Sequence, residues 1–413
     1  MKNAAPKVLT FGCRLNAAES EAMERVAEAA GLRDIVIVNT CAVTAEAERQ
    51  AGQAIRRLKR EKPFVKIIVT GCSSQINPQK YAAMREVDCV VDNKAKVQPE
   101  SFIALVGNAA LPQPVSKLKG RAAPALQRAF VEIQNGCDNA CTFCIIPFGR
   151  GASRSVSFED ITAEARMRVA EGFNEIVLTG VDIASYGRDL PGEPTLGFMV
   201  RRVLSKVPDL RRLRLSSLDP AGIDEDLWET IADEPRLMPH IHLSLQSGDD
   251  MILKRMKRRH SRADVVRLIE RARKIRPDVV FGADIIAGFP TETEAMFEQT
   301  RTLVEQCGLT WLHVFPYSSR KGTPASKMPQ IHGNLRKERA LCLRALGEKA
   351  TQRHYESLIG KTVEVLVENN GIGCTPQFAK LKLIGEAPVG QIVDARCARG
   401  ENGEVVAKVG NNS

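Results

Sequence analysis

From residue 7 the chain alternates short apolar runs with longer stretches whose hydrophobic residues recur at helical spacing. "KVLTF", "DIVIV", "VKIIV" and "VDCVV" have strand length, and patterns such as "AVTAEAERQAGQAIRRLKREK" lie between them. Short continuous apolar runs fit strands buried on both faces, and strands separated by helices imply a parallel sheet covered on each side. The alternation pauses at "GNAALPQPVSKLKGRAAPALQR", rich in Pro, Ala and basic residues and free of acids, which reads as a domain boundary. It resumes at residue 129 with six strand candidates, "AFVEIQ", "EIVLTG", "LRLSSL", "HIHLSLQS", "VVFGADIIAGF" and "WLHVFPYS", and ends in a long helical pattern from Leu335 to about Leu358. Six βα units predict a partial or complete parallel barrel whose functional residues sit at the C-terminal strand ends. From Gly360 the texture becomes short alternating segments broken by Gly, Asn and Pro, the pattern of a small all-β module. The expected α/β architecture is therefore a parallel sheet domain over 1–108, a linker over 109–128, a barrel over 129–358 and an all-β module over 359–413.

Length and composition narrow the class. A chain of 413 residues exceeds what one ordinary core serves. No apolar stretch approaches the ~18 residues of a membrane span, and a strand begins so near the first Met that no signal-peptide run precedes it. The expectation is a cytoplasmic protein without a membrane partner, in a compartment that keeps thiols reduced. Its eleven cysteines then read as metal ligands or core residues. A formal charge of +10 predicts a polyanionic partner.

Three cysteines, Cys137, Cys141 and Cys144, crowd into "NGCDNACTFCIIPFGRG" with the spacing C-x3-C-x2-C. A closed zinc site wants four ligands, whereas three thiolates on a [4Fe-4S] cube leave one iron open for substrate. Cys13 in "TFGCRLN", Cys41 in "VNTCAVT" and Cys72 in "VTGCSSQ" each follow one of the first three strands. Parallel strands end on one edge, so these three converge although some 30 residues separate each from the next in the chain. They form a second candidate metal site. Cys89, Cys307, Cys342, Cys374 and Cys397 read as small core hydrophobes.

The C-x3-C-x2-C loop after the first barrel strand, with aromatic Phe143 before the last cysteine, resembles the radical S-adenosylmethionine superfamily. Two three-cysteine sites, the barrel and the C-terminal β module together resemble the methylthiotransferases over nearly the whole chain. That resemblance implies two [4Fe-4S] clusters, a radical-generating one on Cys137, Cys141 and Cys144 and an auxiliary one on Cys13, Cys41 and Cys72. It also implies S-adenosylmethionine as radical source and methyl donor, a sulfur donor, an electron donor of flavodoxin or ferredoxin type, and a TRAM-like RNA-binding module at the C-terminus. Phe143, Gly180, Asp182, Ser244, Gln246 and Gly288 fall where the family contacts its cofactor. The phrases "NTCAVT", "CTFCIIPFGRG", "SYGRDL", "LSLQSGDDMILKRMKR" and "DIIAGFPTETE" look most like the branch that inserts sulfur and methyl at C2 of N6-threonylcarbamoyladenosine at tRNA position 37. Such a ring C–H offers no acidity that a general base could use, which suits radical chemistry. Branches acting on isopentenyladenosine or on a ribosomal-protein aspartate are the alternatives, and a non-catalytic metal-stabilised RNA-binding protein is the alternative of another class. Two departures stand out. Asp182 occupies a position where the favoured branch commonly has His, and Val156 one where it often has Arg.

For RNA, the stretch from Lys254 to Arg276 holds eleven Lys and Arg against Asp264 and Glu270, and Lys257, Arg258 and Arg259 are its candidate phosphate contacts. Lys117, Lys119 and Arg121 are the next in line. The module from Lys361 onward carries six basic and six acidic residues, so it must rely on shape and stacking, with Phe378 as its one aromatic.

Overall fold

The computed structural model describes residues 4–98, 101 and 127–410. The expected linker, with Lys117, Lys119 and Arg121, falls outside the described residues except at Arg128 and Gln127. Two compact units emerge, and they do not follow chain order. One comprises Met1–Gly120, Gln134–Arg154 and Arg320–Thr323; the other comprises Arg121–Ile133, Ser155–Ser319 and Pro324–Ser413. The cysteine loop after residue 134 thus packs with the N-terminal sheet, where the sequence pattern had assigned it to the barrel.

The first unit is built on a four-stranded parallel sheet of β1 (Lys7–Thr10), β2 (Ile35–Thr40), β3 (Lys66–Gly71) and β4 (Cys89–Val90), in that order. Every residue of β2 is buried. Alternate side chains explain why: Ile35 and Ile37 join Met23, Val26 and Ala27 on one face, while Val36 and Val38 join Ile55, Ile67 and Tyr81 on the other. The helix Arg14–Ala29 covers the first face and Ala45–Glu61 the second. Thr44 starts the latter by accepting a hydrogen bond from the Ala47 N–H at 3.1 Å, with Glu46 and Glu48 in the first turn. The same unit holds β6 (Gln134–Asn135), the helix Ile146–Arg150, and Arg320, which pairs with Glu48.

In the second unit, β5 (Ala129–Glu132), β8 (Glu175–Thr179) and β9 (Arg212–Leu215) pair in parallel, as do β10 (His240–Gln246), β11 (Val280–Ala287) and β12 (Trp311–Pro316). Parallel bridges Leu213–Leu237 and Leu218–Leu243 join the two sheets into the expected six-stranded partial barrel. Ile176, Leu178, Leu213, Leu215, Leu243 and Ile285 face the surrounding helices in one large core. Their neighbours Glu175, Arg212, Arg214, His242 and Asp284 therefore point to the concave side. The helix Gly333–Glu356 follows β12, after which β13 (Thr362–Glu368), β14 (Ile372–Cys374), β15 (Lys380–Ile384), β16 (Ile392–Arg399) and β17 (Val405–Val409) close into a small barrel in the order 13-14-15-17-16.

The small barrel is fastened to the N-terminal edge of the large one. Glu175, Arg212, His240 and Trp311 are each the first residue of a strand. Arg214 Nη2 and Nη1 donate to the carbonyls of Thr375 and Pro376 at 2.8 and 2.7 Å, Arg212 Nη1 to that of Cys374 at 3.1 Å, and Trp311 Nε1 to that of Gln377 at 2.9 Å. These cations converge on Glu175, which is wholly buried and lies 2.8 Å from both Arg128 and Arg214. Burial alone would raise its pKa, but Arg214 and Arg128 outweigh burial and hold it at about 2. Among the described residues no helix is long and apolar enough to cross a membrane.

Candidate metal centres and active site

Cys13, Cys41 and Cys72 stand at the ends of β1, β2 and β3, and the local sequence fixes each. Cys13 is the residue before the helix Arg14–Ala29, and Cys72 is the first residue of the helix Cys72–Ile76. Gly12 has φ +101°, and a Cβ there would lie 2.7 Å from both Cβ and Sγ of Cys41, so only glycine lets the first and second loops approach this closely. Cys41 and Cys72 are buried and Cys13 is exposed. The three adjacent parallel strand ends therefore bring Cys13, Cys41 and Cys72 to one edge of the sheet. Burial pushes the Cys41 thiol up to about 12, and Cys72 is raised for the same reason.

The second set lies on a loop pinched at its base. Cys137 N–H donates to the Gly151 carbonyl at 3.1 Å, and Gly136, with φ +73°, sits so close to Ala152 that a Cβ would fall 1.8 Å from its carbonyl oxygen. Within the loop Cys144 N–H donates to the Cys141 carbonyl at 3.1 Å and Asn139 N–H to Cys137 Sγ at 3.4 Å. All three thiols and the Phe143 ring are half-buried. The far end of the loop meets the first site: Gly149 packs on Cys72, where an added Cβ would be 3.2 Å from the Cys72 Cβ, and the Gly149 carbonyl accepts from Asn93 Nδ2 at 2.7 Å. Both three-cysteine sets thus belong to the same compact unit. Among the described residues each offers three soft donors and no fourth, which fits a cluster with one open iron better than a closed zinc site.

On the barrel, Gly180 follows β8, Gln246 ends β10 and Gly288 follows β11, all at the C-terminal edge. Asp182 is buried, and its carbonyl accepts from Ser185 Oγ at 2.8 Å. The register of β10 shifts between Leu243 and Gln246, and Gln246 takes φ +71°, a bulge that re-aims the end of the strand. Ser244 and Gln246 are half-buried. Gly288 has φ +71°, and a Cβ there would lie 2.5 Å from Arg336 Cγ. Its N–H donates to the buried Glu292 carboxylate at 2.9 Å, which also takes Arg339 Nη1 at 2.9 Å; burial still raises Glu292 to about 7. The concave face adds a triad the sequence reading did not assemble. His242 Nε2 and His313 Nδ1 lie 3.1 and 3.2 Å from the same oxygen of Asp284, while Ser217 Oγ donates to the other oxygen at 3.3 Å. Asp284 is thereby held well below the usual carboxylate range despite burial, and it orients the half-exposed His313 ring.

Residues 131–304 match the Radical SAM superfamily, and residues 6–92 match the family described as uncharacterized protein family UPF0004. Across 407 residues, 97% of this chain and 96% of the relative, the sequence is 50% identical to the threonylcarbamoyladenosine tRNA methylthiotransferase MtaB of Rickettsia prowazekii. The chain belongs to the radical S-adenosylmethionine methylthiotransferases. It is also 37% identical, over 384 residues and 87% and 86% of the two chains, to a tRNA-2-methylthio-N(6)-dimethylallyladenosine synthase of Herpetosiphon aurantiacus. In fold it is similar to the radical S-adenosylmethionine methyltransferase TsrM of Kitasatospora setae, solved with cobalamin and a [4Fe-4S] cluster, at a TM-score of 0.52, 14% identity and coverage of 76% and 67%.

Residues of this methylthiotransferase expected to meet RNA have partners within the protein. Phe378, expected as a base-stacking ring, stacks on His240, with centroids 5.0 Å apart and 11° between planes, and the guanidiniums of Arg214 and Arg128 lie 5.0 and 5.5 Å from its centroid. The ring is used to seat the C-terminal module on the barrel. The basic run lies at the surface, yet most of its cations have protein partners. Arg258 donates to the Ser244 carbonyl at 2.8 Å and lies 3.3 Å from Asp219, which also takes Arg259 at 3.0 Å. Arg255, Arg262, Arg267, Arg271, Arg273 and Arg276 bind Thr291, Gln299, Asp264, Glu225, the Cys307 carbonyl and the Glu234 carbonyl. Eight of the eleven cations thus have protein partners, because a helix packed round a barrel spends its long arginines on neighbouring loop carbonyls and acids. Lys257 is exposed and remains a candidate. What sequence reasoning missed had a signal: Asn16, Glu19 and Ser20 interrupt the otherwise apolar face of the helix Arg14–Ala29, and polar residues inside a buried stripe call for partners.

Proposed function

We propose that this methylthiotransferase acts in the cytoplasm on tRNA and places a methylthio group at C2 of N6-threonylcarbamoyladenosine at position 37. The similarity that carries the choice of substrate is the 50% identity over 97% of the chain to a relative named for that nucleoside, against 37% for one named for the dimethylallyl nucleoside. Cys137, Cys141 and Cys144 would hold the radical-generating cluster and Cys13, Cys41 and Cys72 the auxiliary one. When bound, the clusters and S-adenosylmethionine supply hydrogen abstraction, sulfur and methyl group. The chain's own work is to position: Gly180, Asp182, Ser244, Gln246 and Gly288 form the barrel edge for the cofactor, with Phe143 beside the last ligand. Buried Asp182, where the favoured branch commonly has His, gives that edge an acid in place of an imidazole. An electron donor of flavodoxin or ferredoxin type and a sulfur donor complete the partners, residues 359–413 serve as the TRAM-like module, and Lys257 contacts phosphate.

The test is nucleoside mass analysis of tRNA from cells lacking and regaining the chain. The 2-methylthio form of threonylcarbamoyladenosine should vanish and return. If the isopentenyl nucleoside responds instead, the other tRNA branch is the function; if neither responds, tRNA is not the substrate. Anaerobically reconstituted protein should hold about eight irons, and about four once Cys137, Cys141 and Cys144 are changed to Ala.

A further inference from the structure

Near the strand-end thiols lies a buried ion network. Glu19, on the buried stripe of the helix Arg14–Ala29, accepts from Lys96 Nζ at 2.6 Å and from Arg150 Nη1 and Nη2 at 2.8 and 3.0 Å, with Asn135 Nδ2 at 3.2 Å. Glu19 is 4% exposed, Lys96 1% and Arg150 2%. Arg150 also donates to Asn16 Oδ1 and to Asn135 Oδ1, and Asn16 Nδ2 donates to the Thr40 carbonyl just before Cys41. Burial pushes the Glu19 carboxyl up, but Lys96 and Arg150 outweigh it and keep the group ionised, at about 2.

Two buried basic groups face one buried carboxylate. Burial lowers the Lys96 pKa against the pull of Glu19, and a nearby anion relieves the cost of the second buried cation. Arg150 stands close to the thiols: the Asn16 Oδ1 that it binds lies 4.0 Å from Cys13 Sγ, and its neighbour Gly149 packs on Cys72. Three neutral thiols would leave the surplus unanswered, and three bare thiolates would overshoot it. Three thiolates on a doubly positive [4Fe-4S] core carry one net negative charge, which matches the surplus.

We infer that Arg150, with Lys96 and against Glu19, is the electrostatic counterpart of the auxiliary cluster, a positioning residue that sets its charge balance and so its reduction potential. The inference rests on the two-cluster reading above and adds a link between the sites. Arg150 belongs to the segment that carries Cys137, Cys141 and Cys144, so the auxiliary pocket is completed only when that loop is in place. One-electron reduction by an external donor makes the cluster more negative; buried cations favour the reduced form and Glu19 disfavours it.

The test uses the full chain with Cys137, Cys141 and Cys144 changed to Ala, reconstituted anaerobically and titrated with dithionite while the reduced cluster is followed by electron paramagnetic resonance. Arg150→Gln should lower the reduced-to-oxidised ratio at fixed potential at least tenfold, about 59 mV for a one-electron couple. Glu19→Gln should raise it by a similar factor, and Arg150→Lys should stay within about threefold of the parent. Opposite signs are the decisive feature, since general damage to the pocket would move both neutralising variants the same way. Shifts of one sign, or none, in variants that keep about four irons overturn the inference. If Arg150→Gln cannot hold iron, Glu19→Gln decides alone, and no rise in its ratio overturns it. A parent that binds no iron refutes the two-cluster reading instead.

Discussion

Changing Glu175 to Gln removes the one carboxylate on which Arg128 and Arg214 both converge at 2.8 Å, with Arg212 3.8 Å away. Geometry and titration give the same size of effect. A carboxyl held at about 2 in the folded chain, against ~4.3 when unfolded, contributes on the order of 3 kcal/mol at neutral pH. Breaking a buried pair by removing one partner costs about 3–5 kcal/mol. Arg128 retains Glu368, and Arg214 retains the carbonyls of Thr375 and Pro376, so the lower figure applies. Unfolding of a chain with several domains is not two-state, so the assay is hydrogen exchange at the turn these cations hold. There the Thr375 N–H donates to the Ala379 carbonyl and the Phe378 N–H to that of Thr375. A loss of ~3 kcal/mol should speed exchange at these amides on the order of a hundredfold. The sign with pH follows from a depressed pKa: the contribution is complete above the unfolded value of ~4.3 and is lost as pH falls toward about 2. Parent and variant should therefore converge in acid. Equal exchange at neutral pH, or a difference that grows as pH falls, would refute the reasoning.

Two further outcomes follow from single residues. In tRNA binding, Lys257→Ala should flatten the slope of log affinity against log salt by roughly 0.7–0.9, while Arg258→Ala, whose guanidinium is tied to Asp219 and the Ser244 carbonyl, should lower stability and leave the slope alone. Equal slopes in both variants and the parent would remove Lys257 as a phosphate contact. Gly12→Ala would force a side chain onto Cys41 at φ +101°, so iron content should drop from about eight to about four per chain with the barrel site intact; full retention would show that the first loop yields more easily than its geometry implies.

Periodicity and spacing determined much by themselves. Apolar runs of strand length between helical patterns placed the parallel sheet and the six barrel strands, because burial on both faces leaves no other use for "IVIV" or "FGADIIA". The cysteine spacing after β5 carries the proposal of a radical site, since three thiolates in eight residues are local chemistry. Convergence of Cys13, Cys41 and Cys72 also followed, as all parallel strands end on one edge. Tertiary structure decided what depends on partners distant in the chain. A run of eleven cations looks the same in sequence whether it faces phosphate or neighbouring carbonyls and acids, and in the fold most of it has such protein partners. Phe378 could stack on a base or on His240, and only the docking of the small barrel selects His240. Glu19, Lys96 and Arg150 lie as far as 131 residues apart, and no local pattern joins them. Buried charges must be paired wherever the chain crosses itself, and that crossing is a property of the fold.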